Sequence, residues 1–286
     1  SGGGPAANAA WLLGLWGEEV YYIGHLHQDL YGQRIIDEFA EAGVDTSQVV
    51  FSDDMITPLA SVLVNRLTGS RTIITRKMQT PPSLTYDQKL KLDDLAERLI
   101  AAEEPVTILI DGHEAEISEY LIKKLPNARV VMDGGSLRAS NIKLAAWTDY
   151  FVVSEHFARD YMSYRSLSTE AEIKAALIEL NKICRGEAFI TLGEKGCAFL
   201  KSGMLQIVPS WLCNAVDTTG AGDVFHGAFT YGVHYSWHID NIILFASLTA
   251  AISIEKKGVR ESMPDLAVVH HSLNSYERNL TQYFEE

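Results

Sequence analysis

Between residues 87 and 192 the chain alternates helix-like with strand-like segments, and this alternation restricts the fold more than any other feature of the sequence. Apolar residues recur at helical spacing from about Asp87 to Ala102, Glu114 to Lys124, Phe157 to Tyr164 and Glu170 to Cys184. Short β-branched runs stand between them at Val106–Ile110, Arg129–Met132, Tyr150–Val153 and Ala188–Leu192. Strands joined through helices lie parallel, with helices covering both faces of their sheet. The expected class is therefore α/β, three layers in the order αβα around a mostly parallel central sheet. Ligands of such sheets gather beyond the carboxyl ends of the strands. Asp111-Gly112-His113 and Asp133-Gly134-Gly135 fall at two of those ends and are expected to shape the rim of a cleft rather than to carry chemistry.

The flanking segments fit one domain over residues 1–286. Gly2-Gly3-Gly4-Pro5 leads into a helix over Ala6–Leu13, with a proline suited to a first turn. Val20–Ile23 reads as a short buried strand and Leu30–Ala42 as a helix ended by Gly43. Leu59–Leu67 and Arg71–Arg76 read as a hairpin turning at Thr68-Gly69-Ser70, and Cys197–Leu200 with Leu205–Val208 as another. Two amphipathic helices, about Ile239–Ile254 and Asp265–Tyr276, flank the loop Lys257-Gly258-Val259-Arg260.

Composition removes several classes of function. With 24 Lys+Arg against 37 Asp+Glu the net charge is −13, which argues against sequence-independent nucleic-acid binding and against binding to anionic membranes. Cys184, Cys197 and Cys213 show neither CxxC nor zinc spacing and read as reduced thiols in a cytoplasmic protein. No apolar run is long enough for a bilayer span, and no signal peptide precedes the first helix. The chain opens on a glycine loop without an initiator methionine, so an N-terminal piece is expected to precede Ser1.

Chemistry is concentrated in Asp217–Tyr231, DTTGAGDVFHGAFTY. Thr219-Gly220-Ala221-Gly222 runs into an apolar helical pattern whose first turn carries Asp223. Glycine lets the backbone come close to a ligand, and the first turn of the helix offers unpaired N–H groups and the positive end of its dipole. Gly220, Ala221 and Gly222 thus form an anion cradle suited to phosphate, with an acid at its rim. An acid that merely complements the dipole would not need two glycines before it. No Gly-Lys-Ser/Thr follows, which excludes a P-loop, and Phe225 stands where a dinucleotide fingerprint has its third glycine.

Asp217-Thr218-Thr219-Gly220-Ala221-Gly222-Asp223, followed by Gly227-Ala228-Phe229-Thr230, resembles the C-terminal signature of the ribokinase-like (PfkB) carbohydrate kinases. Gly3-Gly4, Asn8, Ala10, Gly24, Asp29 and Gly32 resemble the N-terminal signature of the same family, with His27 in place of a usual glycine. The resemblance implies a ribokinase-like fold with a small β lid over residues 57–77. It also implies an ATP-dependent sugar kinase with Asp223 as general base and Gly220, Ala221 and Gly222 as the anion hole. By the same resemblance Gly3, Gly4 and Asn8 bind the sugar, and Thr191, Gly193 and Gly196, with Gly220 and Gly222, contact the nucleotide. Asp217, Thr219, Gly258 and Ser262 are candidates for a monovalent cation such as K⁺. Many relatives hold Mg²⁺ through an Asn-x-x-Glu motif; here Ser154-Glu155-His156-Phe157 takes its place, leaving Glu155 as the candidate.

The Ser-acidic variant and Asp111-Gly112-His113 look more like the ketohexokinase and sulfofructose kinase branches, which points to a ketose. Two alternatives stay open at this level: a sugar or nucleotide sensor whose chemistry has lapsed, and a nucleoside kinase. His25-x-His27 is expected to be structural or at the surface, and His226, three residues after Asp223 and so able to lie beside the base, to serve packing. The lid hairpin alternates more apolar residues than one sheet face buries alone, implying a homodimer joined through the lids.

Overall fold

The computed structural model describes residues 2–58, 60–64, 71–75 and 81–274. Its centre is a six-stranded sheet built from β5 (Thr107–Ile110), β6 (Arg129–Gly134), β7 (Tyr150–Ser154), β8 (Glu187–Thr191), β9 (Cys197–Lys201) and β10 (Met204–Val208). The strands lie side by side in chain order, parallel from β5 to β8 and antiparallel from β8 to β10. A parallel neighbour requires a crossover, and helices supply it: α4 (Ala115–Lys124), α5 (Ala139–Ala145), α6 (Glu155–Tyr161) and α7 (Glu170–Asn181). β9 and β10 need only a hairpin turn. Among the described residues no helix is long and apolar enough to cross a membrane.

Alternation along the strands divides the core into two. Val130, Met132, Phe151, Val153, Ala188 and Ile190 pack with Leu177 and Leu180 of α7 on one face. Leu109, Val131, Val152 and Phe189 point the other way, into a core shared with Leu12 of α1 (Pro5–Leu15), with Phe225 and Phe229 of α8 (Ala221–His234) and with Phe245 of α9 (Ile239–Ser253). Successive side chains of a strand take opposite faces. Asp111, two residues beyond Leu109, and Asp133, two beyond Val131, are therefore carried towards α8 at the carboxyl ends of β5 and β6. The far end of α8 is held by Arg129 of β6, which donates to the carbonyls of Val233 and His234 and so complements the negative end of the dipole.

α2 (Leu30–Glu41) begins at Asp29, whose carboxylate accepts from Gly32 N at 2.7 Å. α3 (Tyr86–Ala101) and α7 each start in a capping box, Thr85 with Gln88 and Thr169 with Glu172. β3 (Ala60–Val64) and β4 (Arg71–Thr75) pair antiparallel as a separate two-stranded sheet, as the hairpin reading required. Its turn, Thr68-Gly69-Ser70, lies outside the described residues, as do the last two positions of the helix read to Tyr276, which is seen over 266–274.

Two segments differ from expectation. The strand read at Val20–Ile23 is instead one bridge, Tyr21 to Asp45, followed by β1 (His25–Leu26), which pairs parallel with β2 (Val50–Phe51). The paired segment makes a turn between the two pairings, Val49 N bonding to Thr46 O, and the ladder skips a residue there. The second is α5, which carried no helical expectation. It has only seven residues and no side-chain cap, and the sheet topology rather than its own pattern calls for it.

Candidate active site

α8 is glycine-led for a geometric reason. Gly220 caps it at φ 78°, in the left-handed region, and a Cβ there would press into the Val259 side chain. Among the described residues no side chain caps this terminus. Gly222, in the first turn, has no neighbour where a Cβ would stand, so its backbone is open to a ligand. The helix behind is almost wholly buried from Val224 to Val233, which fixes its direction and the aim of its N–H groups.

Asp223 meets the N-terminal glycine loop through Asn8, whose Nδ2 donates to Asp223 Oδ2 at 2.6 Å. Close helix packing makes this contact. A Cβ on Gly227 would come within 3.1 Å of Leu12 Cδ2 and 3.2 Å of Ala9 Cα, so the absence of a side chain lets α1 lie against α8. Asn8 and Leu12 are one turn apart on α1, as Asp223 and Gly227 are on α8. The helices thus pack at Leu12 and Gly227 and hydrogen-bond at Asn8 and Asp223. Asn8 Oδ1 is buried without a hydrogen-bond partner among the described residues, an acceptor left for a hydroxyl. Gly3 has open space beside it, and Gly4 turns into α1 at φ 110°.

Burial pushes the Asp223 carboxyl up to about 6, and the neighbouring Asp133 adds to the rise; the hydrogen bond from Asn8 and the charge of His226 work against it. Asp133 is not a rim residue. It is 4% exposed and lies 3.1 Å from Nδ1 of His226, itself 3% exposed. His226 does more than pack: its ring also reaches the carbonyls of Gly222 and Val152. Burial raises the Asp133 carboxyl, while the charge of His226 pulls it down. Sequence reasoning undervalued both residues, although a titratable side chain three positions after Asp223 on the same helix was the available signal.

The remaining candidates fall into three groups. Thr191 ends β8, Gly193–Lys195 form a 3₁₀ turn, and Gly196 leads into β9. Gly193 stands at φ 59° in open space, whereas Gly196 is a glycine because a Cβ would strike the Val208 carbonyl of the hairpin. Asp217, Thr219, Gly258 and Ser262 converge: Asp217 accepts from Thr219 N at 3.0 Å and from Gly258 N at 3.3 Å, and Ser262 Oγ donates to Gly258 O at 2.6 Å. Thr219 Oγ1 is buried without a hydrogen-bond partner among the described residues. Glu155 opens α6 at the carboxyl end of β7, behind Ser154, which caps the helix by accepting from Phe157 N. Phe157 is a core residue packed edge-on against Phe151. His25 is buried with its Nδ1 3.0 Å from Glu114, and its Nε2 has no hydrogen-bond partner among the described residues.

A sequence profile of the pfkB family carbohydrate kinases matches residues 1–266. The chain belongs to that family. As a pfkB carbohydrate kinase it is a phosphotransferase acting on sugars. It is 28% identical over 281 residues to a ribokinase of Lactococcus lactis subsp. lactis, covering 97% of this chain and 87% of that one. To fructokinase-2 of Oryza sativa subsp. japonica it is 23% identical over 290 residues, covering 95% and 84%. The fold matches that of Arabidopsis thaliana ribokinase, solved in complex with ribose and ATP, with a TM-score of 0.77 at 21% identity over 94% of this chain and 86% of that one. The ribokinase-like three-layer fold expected from the pfkB signatures is thus the observed one.

Proposed function

We propose that this pfkB kinase transfers the γ-phosphate of ATP to a hydroxymethyl group of a ketose or ketose derivative, with Asp223 as general base. The observation that carries the reading is the Asn8–Asp223 contact at the head of an uncapped helix. It joins a hydroxyl-binding amide, a base and an anion cradle at one point. The acceptor hydroxyl, held by Asn8 and the Gly3-Gly4 backbone, loses its proton to Asp223 as its oxygen bonds to the γ-phosphorus. The bond from phosphorus to the β–γ bridging oxygen breaks, and ADP leaves. N–H groups of Gly220, Ala221 and Gly222, with the dipole of α8, stabilise the charge gathering on the phosphoryl oxygens. Thr191, Gly193 and Gly196 border the nucleotide. The ketose assignment rests on Ser154-Glu155 and Asp111-Gly112-His113.

Two ions fit the residues present. The oxygens of Asp217, Thr219, Gly258 and Ser262, one of them an unpartnered buried hydroxyl, suit a monovalent cation such as K⁺ that would order the cradle. Mg²⁺ binds through few carboxylates and mainly through phosphate oxygens and water, so Glu155 at a strand end suffices on the protein side. Bound there, Mg²⁺ would neutralise phosphate charge.

The test is ATP consumption across ketoses, aldoses, sugar phosphates, sulfonated sugars and nucleosides, in K⁺ and in a large organic cation. Turnover on one ketose, faster in K⁺, is expected. Turnover confined to aldoses or to nucleosides would overturn the ketose assignment, and equal rates in both cations would remove the cation site. The base must be ionised to act, so kcat/KM should be level above neutrality and fall about tenfold per pH unit below about 6. A profile level down to about pH 4.5 would contradict the Asp223 environment. A dimer through the β3–β4 lids is proposed as well, and a monodisperse monomer by light scattering would refute it.

A further inference from the structure

His226 stands one turn beyond Gly222 on α8, and both of its ring nitrogens face oxygen. Nδ1 lies 2.6 Å from the Gly222 carbonyl and 3.1 Å from Asp133 Oδ2, and Nε2 lies 3.1 Å from the Val152 carbonyl. A carbonyl oxygen has no proton to give, so each nitrogen must be the donor. A neutral imidazole has one N–H, and either tautomer would turn a lone pair onto one of the two carbonyls, that of Val152 being buried. Protonating Asp133 instead would not relieve the contact of Nδ1 with Gly222. The doubly protonated ring donates to both carbonyls, and Asp133, at ion-pair distance, is its counterion.

The pair has charged neighbours. Asp133 faces the ring from β6, and Asp223 lies on α8 beside it. Asp111, at the end of β5, acts electrostatically on both aspartates, and Arg138 acts on Asp133. β7 offers the Val152 carbonyl, and α1 the neutral Asn8. Without a positive ring, three carboxylates would crowd the place where a phosphoryl group must enter.

We infer that His226 is a positioning residue for Asp223: its imidazolium, held by Asp133, grips the Gly222 carbonyl, fixes the Gly222–Asp223 peptide, and keeps the Asp223 carboxylate ionised beside a polyanionic substrate. The inference rests on Asp223 being the base. It assigns chemistry to a strand-end aspartate and a helix histidine that the anion cradle and the Asn8 contact do not use.

Wild-type protein labelled with ¹⁵N-histidine tests the protonation state directly. Two protonated ring nitrogens are expected for His226 at neutral pH, and a neutral tautomer overturns the inference whether or not any variant folds. pH profiles of kcat/KM test the role. In His226→Asn the acid limb should move up by about one pH unit while KM for the sugar changes less than about twofold. Adding Asp133→Asn removes the unpaired charge and should bring the limb back towards wild type. A purely structural role would lower kcat evenly across pH and leave the limb in place, which overturns the inference. Asp223→Asn separates the two levels. If it is inactive and the His226→Asn limb is unmoved, only the positioning role fails; if it turns over near-normally, the assignment of the base fails.

Discussion

Asp223→Asn is expected to lower kcat by about three orders of magnitude and, at neutral pH, to raise the melting temperature. The first half follows from the mechanism. Asparagine keeps the shape of the side chain and can still accept the hydrogen bond from Asn8, but it cannot take a proton. The second half follows from linkage. The Asp223 carboxyl is pushed up to about 6 from an ordinary 3.8, chiefly by burial, so ionising it costs the folded state. Its contribution to stability is fully present below the unfolded value and is lost as pH rises through about 6. Each unit is worth about 1.4 kcal/mol, so wild type carries a penalty of roughly 3 kcal/mol at neutral pH that the asparagine variant escapes. For a chain of this size that is a gain of about 5 °C or more, shrinking as the buffer is taken towards about pH 4. Kinetics with scanning calorimetry at several pH values checks both halves. Turnover within about tenfold of wild type would remove Asp223 as base, and equal melting temperatures at neutral pH would remove the cost of burying its charge.

That cost explains why the site was only partly legible in the sequence. Local features could be read: the glycines before Asp223, the strand–helix alternation, and Asp111 and Asp133 at strand ends, because each is a property of a few consecutive residues. The Asn8–Asp223 hydrogen bond was not visible as a contact, since it depends on Gly227 letting α1 close on α8. Asp133 and His226 were harder still. Their types and positions could be read, yet only the register of β6 against α8 brings them within 3.1 Å, and that register is set by the core around Val131 and Phe229. Burial then changes what the residues do: a histidine among apolar neighbours reads as packing until its ring is seen to face three acceptors. α5 was missed for the opposite reason, a weak local pattern made necessary by parallel neighbours.

Glu38→Gln should give the largest loss of stability among single changes outside the Asp223 site. Glu38 accepts from Gly2 N at 2.6 Å, from Arg34 at 3.0 Å and from Arg260 Nη1 at 2.7 Å. Arg260 is 4% exposed, lies over the rings of Phe39 and Trp11, and has Nε and Nη2 without hydrogen-bond partners among the described residues. Its one anchored nitrogen depends on Glu38. Removing one partner of a buried pair strands the other charge, and the expected cost is about 3 kcal/mol. Burial works to raise the Glu38 carboxyl, but the bonds from Gly2 and Arg34 and the charge of Arg260 hold it below the usual range. Its contribution is therefore present above the ordinary value and lost as pH falls, so the deficit of the variant should narrow in acid. Arg260→Met in the Glu38→Gln background removes both charges and should recover much of the loss. The pair also ties the glycine loop to α2: a Cβ on Gly2 would lie 2.7 Å from Arg260 Nη2, so the loop rests directly on the guanidinium. Loosening it should raise KM for the sugar more than it lowers kcat, because Gly3 and Gly4 would lose their fixed position while Asp223 keeps its own. A single variant within about 0.5 kcal/mol of wild type, or a double variant as unstable as the sum of the singles, would show that the charges are independent and the loop is held by packing alone.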